Sequence, residues 1–277
     1  MARPPELTDR TALARNLARA TATFLQDEAI LNLQERLEEV NRTFTDVAVV
    51  TGFPDLWQRT FPQATVVPDD ETLALTPGSF DLVIHAFGLH WANDLVGQLV
   101  QCRRALRPDG LFLGVLFGGR TLAELRAALA EAEARISGGL SPRVLPMGEI
   151  RELGGLLQRA GFALPVADGD LITVTYASAL HLMRDLRAMG EANAMAARRR
   201  APTRRALFAE AGRVYAESYP AADGRIRASF ELIFLTGWAP HESQQKPLRP
   251  GSAVTRLSDA LGAPETPLPR DDGAASD

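Results

Sequence analysis

The chain has 277 residues, of which 46% are hydrophobic, and its formal net charge is −4 at pH 7. This length allows one large α/β domain with additions, while the acidic balance excludes the overall basic footprint of a nucleic-acid-binding protein. The single cysteine, Cys102, excludes a disulfide framework within the chain. No apolar run approaches the roughly 18 residues that a membrane-spanning helix needs.

The amino-terminal stretch argues against a targeting signal. Residues 1–20 are rich in arginine, contain Glu6 and Asp9, and lack an apolar core. Such a segment is untypical of a secretory signal and of an organelle transit peptide. The expectation is therefore a soluble cytoplasmic protein, with peripheral association to a membrane left open.

Hydrophobic spacing predicts the elements of the first part of the chain. Apolar residues such as Ile30 and Leu33 recur at three- and four-residue steps, so one helix is predicted over residues 11–40. The stretch D-L-W-Q-R-T-F favours a short helix. Short β-branched runs predict strands at residues 47–50 and 64–67.

The central stretch has the order expected of a parallel sheet. Strands are predicted at residues 80–87 and 111–117, and the helix between them is expected to end at an R-P-D-G turn. Strand, helix, turn and strand at this spacing predict a right-handed crossover. Thr121 and Glu124 match a capping box, which predicts a helix over residues 122–136. Further helices are predicted around residues 150–160, 182–189 and 207–215, with strands at 171–177 and 226–235.

A short loop after the first predicted strand is the first candidate site. The stretch T-G-F-P-D-L-W has one glycine, Gly52, where a loop that grips a nucleotide-type cofactor normally has two or three. Pro54 removes a backbone donor, and Phe53 adds bulk where a ligand would approach. The pattern is compatible with an ordinary turn or with a weak residual cofactor site, and both alternatives stay open.

Acidic and aromatic side chains follow two other predicted strands. Asp69 and Asp70 are placed to accept hydrogen bonds from a ribose or an adenine amine at the carboxyl edge of the sheet. The alternative is a solvated acidic turn. His90 and Trp91 are candidates for a pocket wall. The alternative there is that Trp91 closes the core and that the nearby His85 is buried with its hydrogen bonds satisfied.

No metal site is predicted. His85 and His90 are five residues apart, which does not place them on one helix face, and the stretch that begins at His241 lacks the second histidine of an H-E-x-x-H motif. The five arginines within residues 198–205 either bind an acidic partner or belong to a solvated linker. The polar stretch 237–253 is typical of an ordered lid or a partner-binding loop.

The stretches F-D-L-V-I-H-A-F and L-R-P-D-G-L-F-L-G-V, within residues 80–115, resemble the class I S-adenosylmethionine-dependent methyltransferases. Further motifs resemble one subfamily: L-H-W-A-N-D-L, L-F-G-G-R-T-L-A-E-L-R, G-G-L-S-P-R, D-L-R-A-M-G-E-A-N-A and G-W-A-P-H-E-S-Q. This subfamily comprises methyltransferase-like assembly factors of the respiratory NADH dehydrogenase (complex I), described as protein arginine hydroxylases. It is close to the malonyl carrier-protein methyltransferases.

The resemblance implies a Rossmann-like α/β fold with a mostly parallel sheet, helices on both faces and a shortening at the second strand. The helical insertion and the loop at Gly237 are expected to cap the carboxyl edge of the sheet. A tail rich in proline and acid is expected to be disordered. The expected segments are an amino-terminal helical segment over 1–45, a methyltransferase-like domain over 46–261 with a helical insertion at about 178–219, and the tail over 262–277.

S-adenosylmethionine is the cofactor that the resemblance implies. The implied partner is a protein substrate, namely a subunit of NADH dehydrogenase. No catalytic residue is assigned. The predicted cofactor contacts are Gly52, Asp69, Asp70, His85 and Phe87, and the predicted substrate pocket consists of His90, Trp91, Trp238 and His241.

The sequence departs from the family pattern on the cofactor side. It lacks the G-x-G-x-G loop of the first motif. The chain between Gly52 and Phe80 is too short for the second strand, its helix and the third strand. The second strand and its helix are therefore expected to be deleted, together with the acceptor for the ribose hydroxyls. Losing two or three charge-assisted hydrogen bonds, at roughly 1.5–3 kcal/mol each, weakens cofactor binding by several orders of magnitude.

Three functions follow from this combination. The first is a family member that no longer methylates and works as an assembly factor or a protein hydroxylase. The second is a methyltransferase with a weaker cofactor grip that acts on a small molecule or a carrier protein. The third is a non-catalytic interaction module. The first is favoured because the substrate-side motifs are kept while the cofactor supports are reduced.

Overall fold

The computed structural model describes residues 6–245 together with Asp259 and Gly262. Of the predicted disordered tail, 262–277, only Gly262 lies within the described residues. The chain divides into two compact units, Met1–His241 and Glu242–Asp277. All helices and strands named below belong to the first unit.

The helices and strands alternate for much of the described chain. No helix in this part is long and apolar enough to cross a bilayer. The α-helices are α1 (Arg10–Leu17), α2 (Phe24–Glu39), α3 (Pro54–Thr60), α4 (Leu95–Ala105), α5 (Ala123–Ser137), α6 (Ile150–Arg159), α7 (Ala179–Ala188) and α8 (Arg205–Ser218). The strands are β1 (Val47–Thr51), β2 (Thr65–Val67), β3 (Phe80–Ala86), β4 (Leu106–Phe117), β5 (Ala163–Tyr176) and β6 (Ile226–Trp238), and short 3₁₀ turns lie at Leu89–Trp91 and Ala222–Gly224.

The strands form one six-stranded sheet in the order β2-β1-β3-β4-β6-β5. The first four strands in this order pair in parallel, whereas β6 is antiparallel to both of its neighbours. In a doubly wound nucleotide-binding sheet, two further strands lie beyond the first strand, on the side where β2 lies here. Here the three-residue β2 is the last strand there, so the predicted Rossmann-like fold with a shortened sheet on this side is confirmed. The expected deletion of the second strand and its helix is wrong, because α3 and β2 follow β1 and β2 pairs with it; the missing strand is the outer one.

The sheet buries both of its faces. On one face, side chains such as Val49 and Ile84 pack against α2, α5, α7 and α8. On the other face, Val50 and Val83 pack against α4 and α6, where the single cysteine, Cys102, is fully buried. Parallel strands covered on both sides contain continuous apolar runs, and this explains why they were predictable from sequence.

The predicted amino-terminal helix is two helices. The prediction of one helix over residues 11–40 is wrong, because α1 ends at Leu17 and α2 begins at Phe24. In the connection, the N–H groups of Thr21 and Ala22 both donate to the carbonyl of Ala188, at 2.7 and 2.9 Å. A tertiary contact thus replaces the helical hydrogen bonds that these two groups would otherwise make.

The predicted capping box at the start of α5 does not form. Leu122 precedes this helix in a left-handed conformation with φ 56°, and no side chain caps it. Thr121 instead exchanges hydrogen bonds with the backbone of Glu231 in β6, and Glu124 accepts two from Ser229. Both side chains therefore join the helix to the sheet.

The carboxyl end of β6 lies at the amino edge of the parallel strands. Trp238 pairs with Leu111 near the start of the apolar part of β4, and the N–H of Ala239 donates to the carbonyl of Gly110 at 2.8 Å. Because β6 runs antiparallel to β4, the chain leaves the sheet at the edge opposite to the one predicted. This corrects the expectation that the loop after β6 caps the carboxyl edge, and that Trp238 and His241 share a pocket with the loop after β3.

Candidate functional site at the carboxyl edge of the sheet

A cavity of about 680 Å³ lies at the carboxyl edge, beside the ends of β1 and β2. We call it the cofactor-side cavity. Its walls come from α1 and from the loops that follow the two strands, and they include the predicted cofactor residues Gly52, Asp69 and Asp70. Small-molecule sites have volumes of roughly 300–1,000 Å³, so the space is large enough for a cofactor.

The loop at Gly52 presents few hydrogen-bond donors. The N–H of Phe53 donates to Oγ1 of Thr51 at 3.1 Å, and Pro54 has no N–H. A Cβ built on Gly52 would lie 2.8 Å from Cδ1 of Leu17, which shows how closely α1 packs on the loop. The space beside Gly52 is open to the cavity and is bordered by the apolar side chain of Leu17, so this part of the wall offers little to a charged ligand. The wider cavity also contains the exposed charged residues Asp55 and Arg59.

Trp57 does not fill this space. Its side chain is fully buried in the core, and its Nε1 donates to Oε1 of Gln26 on α2 at 3.0 Å. Trp57 thus anchors α3, the helix that follows the Gly52 loop, in the core, whereas Leu17 of α1 contacts the loop itself. The apolar cover of the loop comes from an element far away in sequence.

The acidic turn after β2 is already engaged. The carboxylate of Asp69 is buried and forms an ion pair with the guanidinium of Arg10 on α1, which also donates to the carbonyl of Asp69. Asp70 is exposed, and its carbonyl accepts from Nε2 of Gln98 at 2.6 Å. Of the two acceptors predicted for a ribose or an adenine amine, Asp69 therefore has a side-chain partner within the chain, whereas Asp70 is bonded through its carbonyl group.

Several polar contacts hold the segment that leads into α1. Oδ1 of Asn93 accepts from the N–H groups of Leu7 and Thr8, both at 2.8 Å. Asp9 caps α1 through the N–H of Ala12 and pairs with Arg198 at 2.9 Å. The arginine-rich stretch and the L-H-W-A-N-D motif thus position α1 over the cavity, a role that sequence reasoning missed.

Replacing Arg10 with methionine tests the strength of this attachment. The variant leaves a buried carboxylate without its cation, so we expect the free energy of unfolding to fall by about 1–2 kcal/mol. Urea titration of the R10M protein provides the measurement. A double variant that also carries Asp69→Asn should recover most of the loss, and a larger loss in the double variant would contradict the role given to the pair.

His85 and Phe87 lie below the cavity and are not among its walls. The ring of His85 is buried, with Nε2 at 3.2 Å from Oε1 of Gln98, and Nδ1 has no partner among the described residues. Burial lowers the pKa of His85 to about 4. Phe87 adopts a left-handed conformation with φ 53° and packs on Phe117 with ring centroids 4.9 Å apart. Their predicted contact with a cofactor stays a prediction.

A second, inner cavity of about 260 Å³ lies beside Trp91, whereas His90 is not among its walls. The indole of Trp91 lines it and donates through Nε1 to Oε2 of Glu191 at 2.9 Å. Nε2 of His90 lies 3.4 Å from the same oxygen. The structure therefore brings two predicted pocket residues together with a carboxylate that was not predicted to belong to the site.

Glu191 follows a glycine that ends α7. Gly190 has φ 82°, and the N–H of Glu191 donates to the carbonyl of Leu186 at 2.9 Å, as in a Schellman motif. This turn directs the carboxylate back toward the sheet edge. The sequence signal for this turn was a glycine directly after a predicted helix. No sequence pattern indicated that the acidic side chain after the glycine is buried.

The G-G-L-S-P-R motif supports the wall of the inner cavity. Arg143 and Ser141 both bond to the buried carboxylate of Glu133 on α5, and Arg143 also reaches Thr203. Burial opposes ionisation of Glu133, but the hydrogen bonds from Arg143 and Ser141 outweigh it and lower the pKa of Glu133 to about 2.

No cluster of three or more metal-ligating side chains occurs within the described residues.

Comparison with known proteins indicates the family of the chain. A model described as a methyltransferase domain matches residues 11–114. "Arginine-hydroxylase NDUFAF5, mitochondrial" of Danio rerio is 40% identical over 72% of this chain and 61% of its own length. The protein of the same name from Homo sapiens is 41% identical, over 72% of this chain and 57% of its length.

For a relative with a different name, the match extends over more of the relative's own length. The malonyl-[acyl-carrier protein] O-methyltransferase of Halorhodospira halophila is 31% identical over 80% of this chain and 83% of its length. Among solved structures, the YcgJ protein of Bacillus subtilis is 12% identical, with a TM-score of 0.49 over 77% of this chain and 99% of that chain.

The chain belongs to the class I S-adenosylmethionine-dependent methyltransferase superfamily, with a degenerate first motif. Within that superfamily it resembles the proteins named arginine-hydroxylase NDUFAF5. It spans 57–61% of the length of the Danio and Homo relatives.

Proposed function

We propose that this methyltransferase-fold protein modifies an arginine of a respiratory NADH dehydrogenase subunit, or assists the assembly of that subunit. The observation that carries the proposal is the internal pairing of Asp69 with Arg10, which engages the buried acidic group of the cofactor-side cavity within the chain. The relatives named arginine hydroxylases supply the substrate class. Carboxylates, which also occur at the inner cavity, are natural partners of a guanidinium group.

The residues at the cofactor-side cavity fit S-adenosylmethionine poorly. The N–H of Phe53 is bonded to Thr51, Pro54 has none, and Asp69 is paired, while Gly52 faces apolar side chains. Each missing charge-assisted hydrogen bond costs a ligand about 1.5–3 kcal/mol. Calorimetry with S-adenosylmethionine at millimolar concentration is expected to give no measurable heat with the folded protein.

The cellular test of the proposed function uses mass spectrometry. Deleting the gene should abolish an arginine modification on an NADH dehydrogenase subunit, or reduce the assembled enzyme, and wild-type protein should restore it. Unchanged modification together with unchanged assembly in the deletion strain would count against the proposal.

Ordinary methyl transfer to a small molecule or a carrier protein is the second candidate. It is favoured by the volume of the cofactor-side cavity and by the relatives named malonyl-[acyl-carrier protein] O-methyltransferases. Saturable heat with micromolar S-adenosylmethionine would support this candidate and would show that the reduced loop still binds the cofactor.

A non-catalytic interaction module is the third candidate. Arg199, Arg204 and Arg205 are exposed, whereas Arg198 and Arg200 both pair with Asp9. Neutralising only Arg199, Arg204 and Arg205 tests for an acidic partner without disturbing α1, and loss of a partner in a pull-down would support the module. The relatives named NDUFAF5 are called mitochondrial, so the expected cytoplasmic location and the peripheral membrane contact stay predictions.

A further inference from the structure

The inner cavity combines apolar walls with one accessible carboxylate. Its walls include Leu125, Leu129, Met183 and Phe230, together with Trp91, and Glu191 lies among them. At about 260 Å³ the cavity is smaller than sites for drug-sized ligands, which span roughly 300–1,000 Å³. It therefore suits a single side chain rather than a nucleoside.

The carboxylate of Glu191 keeps one oxygen available. Oε2 accepts from Trp91 and lies near His90, whereas Oε1 accepts no hydrogen bond from the described residues. The side chain is only 10% exposed. A carboxylate in such surroundings is stabilised by a cation with matching hydrogen-bond donors.

The arginines at this cavity do not supply that cation. The guanidinium of Arg143 is bonded to Glu133 and Thr203. Arg187 lies one helical turn before Glu191 and also lines the cavity, but its side chain is exposed and forms no ion pair within residues 6–245. The acidic group on the cofactor side, Asp69, already has Arg10.

We infer that Glu191 receives the guanidinium of a substrate arginine whose aliphatic stem lies along the inner cavity. This inference rests on the proposed function and names the residue that selects the substrate. The apolar walls match the three methylene groups of the arginine side chain. The indole of Trp91, held in place by Glu191 itself, offers a face on which a guanidinium can stack.

The indole N–H of Trp91 provides a direct readout, because it donates to the carboxylate that would bind the ligand. The chain has three tryptophans, so the indole region of a ¹⁵N spectrum of the full chain is simple to assign with a Trp91→Phe variant. N-acetyl-arginine methylamide is titrated to tens of millimolar, and the uncharged N-acetyl-citrulline methylamide is the matched probe. Trp57, in the core, and Trp238, at the other edge, serve as internal references.

The expected result is a saturable shift of the Trp91 indole with the arginine probe and none with the citrulline probe. Glu191→Gln should raise the dissociation constant for the arginine probe about tenfold or more, because charge-assisted hydrogen bonds are about twice as strong as neutral ones. Glu217→Gln, which removes an exposed carboxylate on α8, should leave the dissociation constant unchanged.

Three outcomes would overturn the inference: a Trp91 signal that does not move, an equal response to citrulline, or an unchanged dissociation constant in a folded E191Q protein. The comparison of the two probes on the wild-type chain holds even where E191Q does not fold. Arginine modification that is lost on gene deletion, with no Trp91 response, would refute the Glu191 site alone. A Trp91 response without any change in the cell would refute the proposed function instead.

Discussion

Replacing Trp57 with alanine is expected to lower the free energy of unfolding by about 3–5 kcal/mol, the usual cost of truncating a fully buried tryptophan. The side chain is fully buried, stacks on Phe61 and donates to Gln26. The substitution therefore creates a cavity and also leaves a buried amide oxygen without its donor. Urea denaturation at pH 7, with the slope of the transition compared between variants, provides the measurement.

The control for this prediction is Phe53→Ala. Phe53 lines the cofactor-side cavity and is only half-buried, so its truncation should cost about 1 kcal/mol. The loss of stability is expected to be larger for Trp57→Ala because Trp57 lies in the core, whereas Phe53 lies at the cofactor-side cavity. A Phe53→Ala protein less stable than Trp57→Ala would mean that the two side chains have exchanged these roles.

The stability of the protein is expected to fall between pH 6.5 and pH 4 because of His85. Burial lowers the pKa of His85 from 6.5 to about 4, so the unfolded chain binds a proton in this range and the folded chain does not. The stabilisation is fully present above pH 6.5 and is lost as the pH falls through 4. Its size is on the order of 3 kcal/mol.

His85→Gln should remove most of this slope, and His181→Gln, at an exposed position on α7, should retain it. The free energy of unfolding, measured by denaturant titration at intervals from pH 7 to pH 4, gives the two slopes. An H85Q protein with the full wild-type slope would assign the acid sensitivity to another group. Glu133 is distinguishable, because its pKa is lowered to about 2 and its stabilisation is lost only as the pH falls below about 4.5.

Much of the sheet was predictable, because its strands carry their signal locally. The strands β1, β3 and β4 each contain an apolar run, as strands buried on both faces do, and each overlaps its predicted range. The R-P-D-G stretch that was predicted as a turn lies instead within β4, which begins at Leu106. The shortening of the sheet beyond β2 also followed from chain length, since the 12 residues between Val67 and Phe80 cannot hold a helix and a further strand.

The candidate site was only partly predictable. Gly52, Asp69, His90 and Trp91 lie at the carboxyl edge because each follows a parallel strand, and that placement can be derived from sequence. What each group bonds to could not be derived, since the partners come from distant positions. Glu191, which lies 100 residues from Trp91, is the clearest example.

The sequence by itself determined the fold class, the buried strands and the loss of glycines at the cofactor loop. These features depend on neighbours a few residues apart, through periodicity, turn residues and backbone donors. Only the tertiary structure decided that α1 covers the loop, that Arg10 engages Asp69, and that Trp238 lies at the opposite edge. Such pairings arise when the packed sheet brings remote segments together, and no local pattern encodes them.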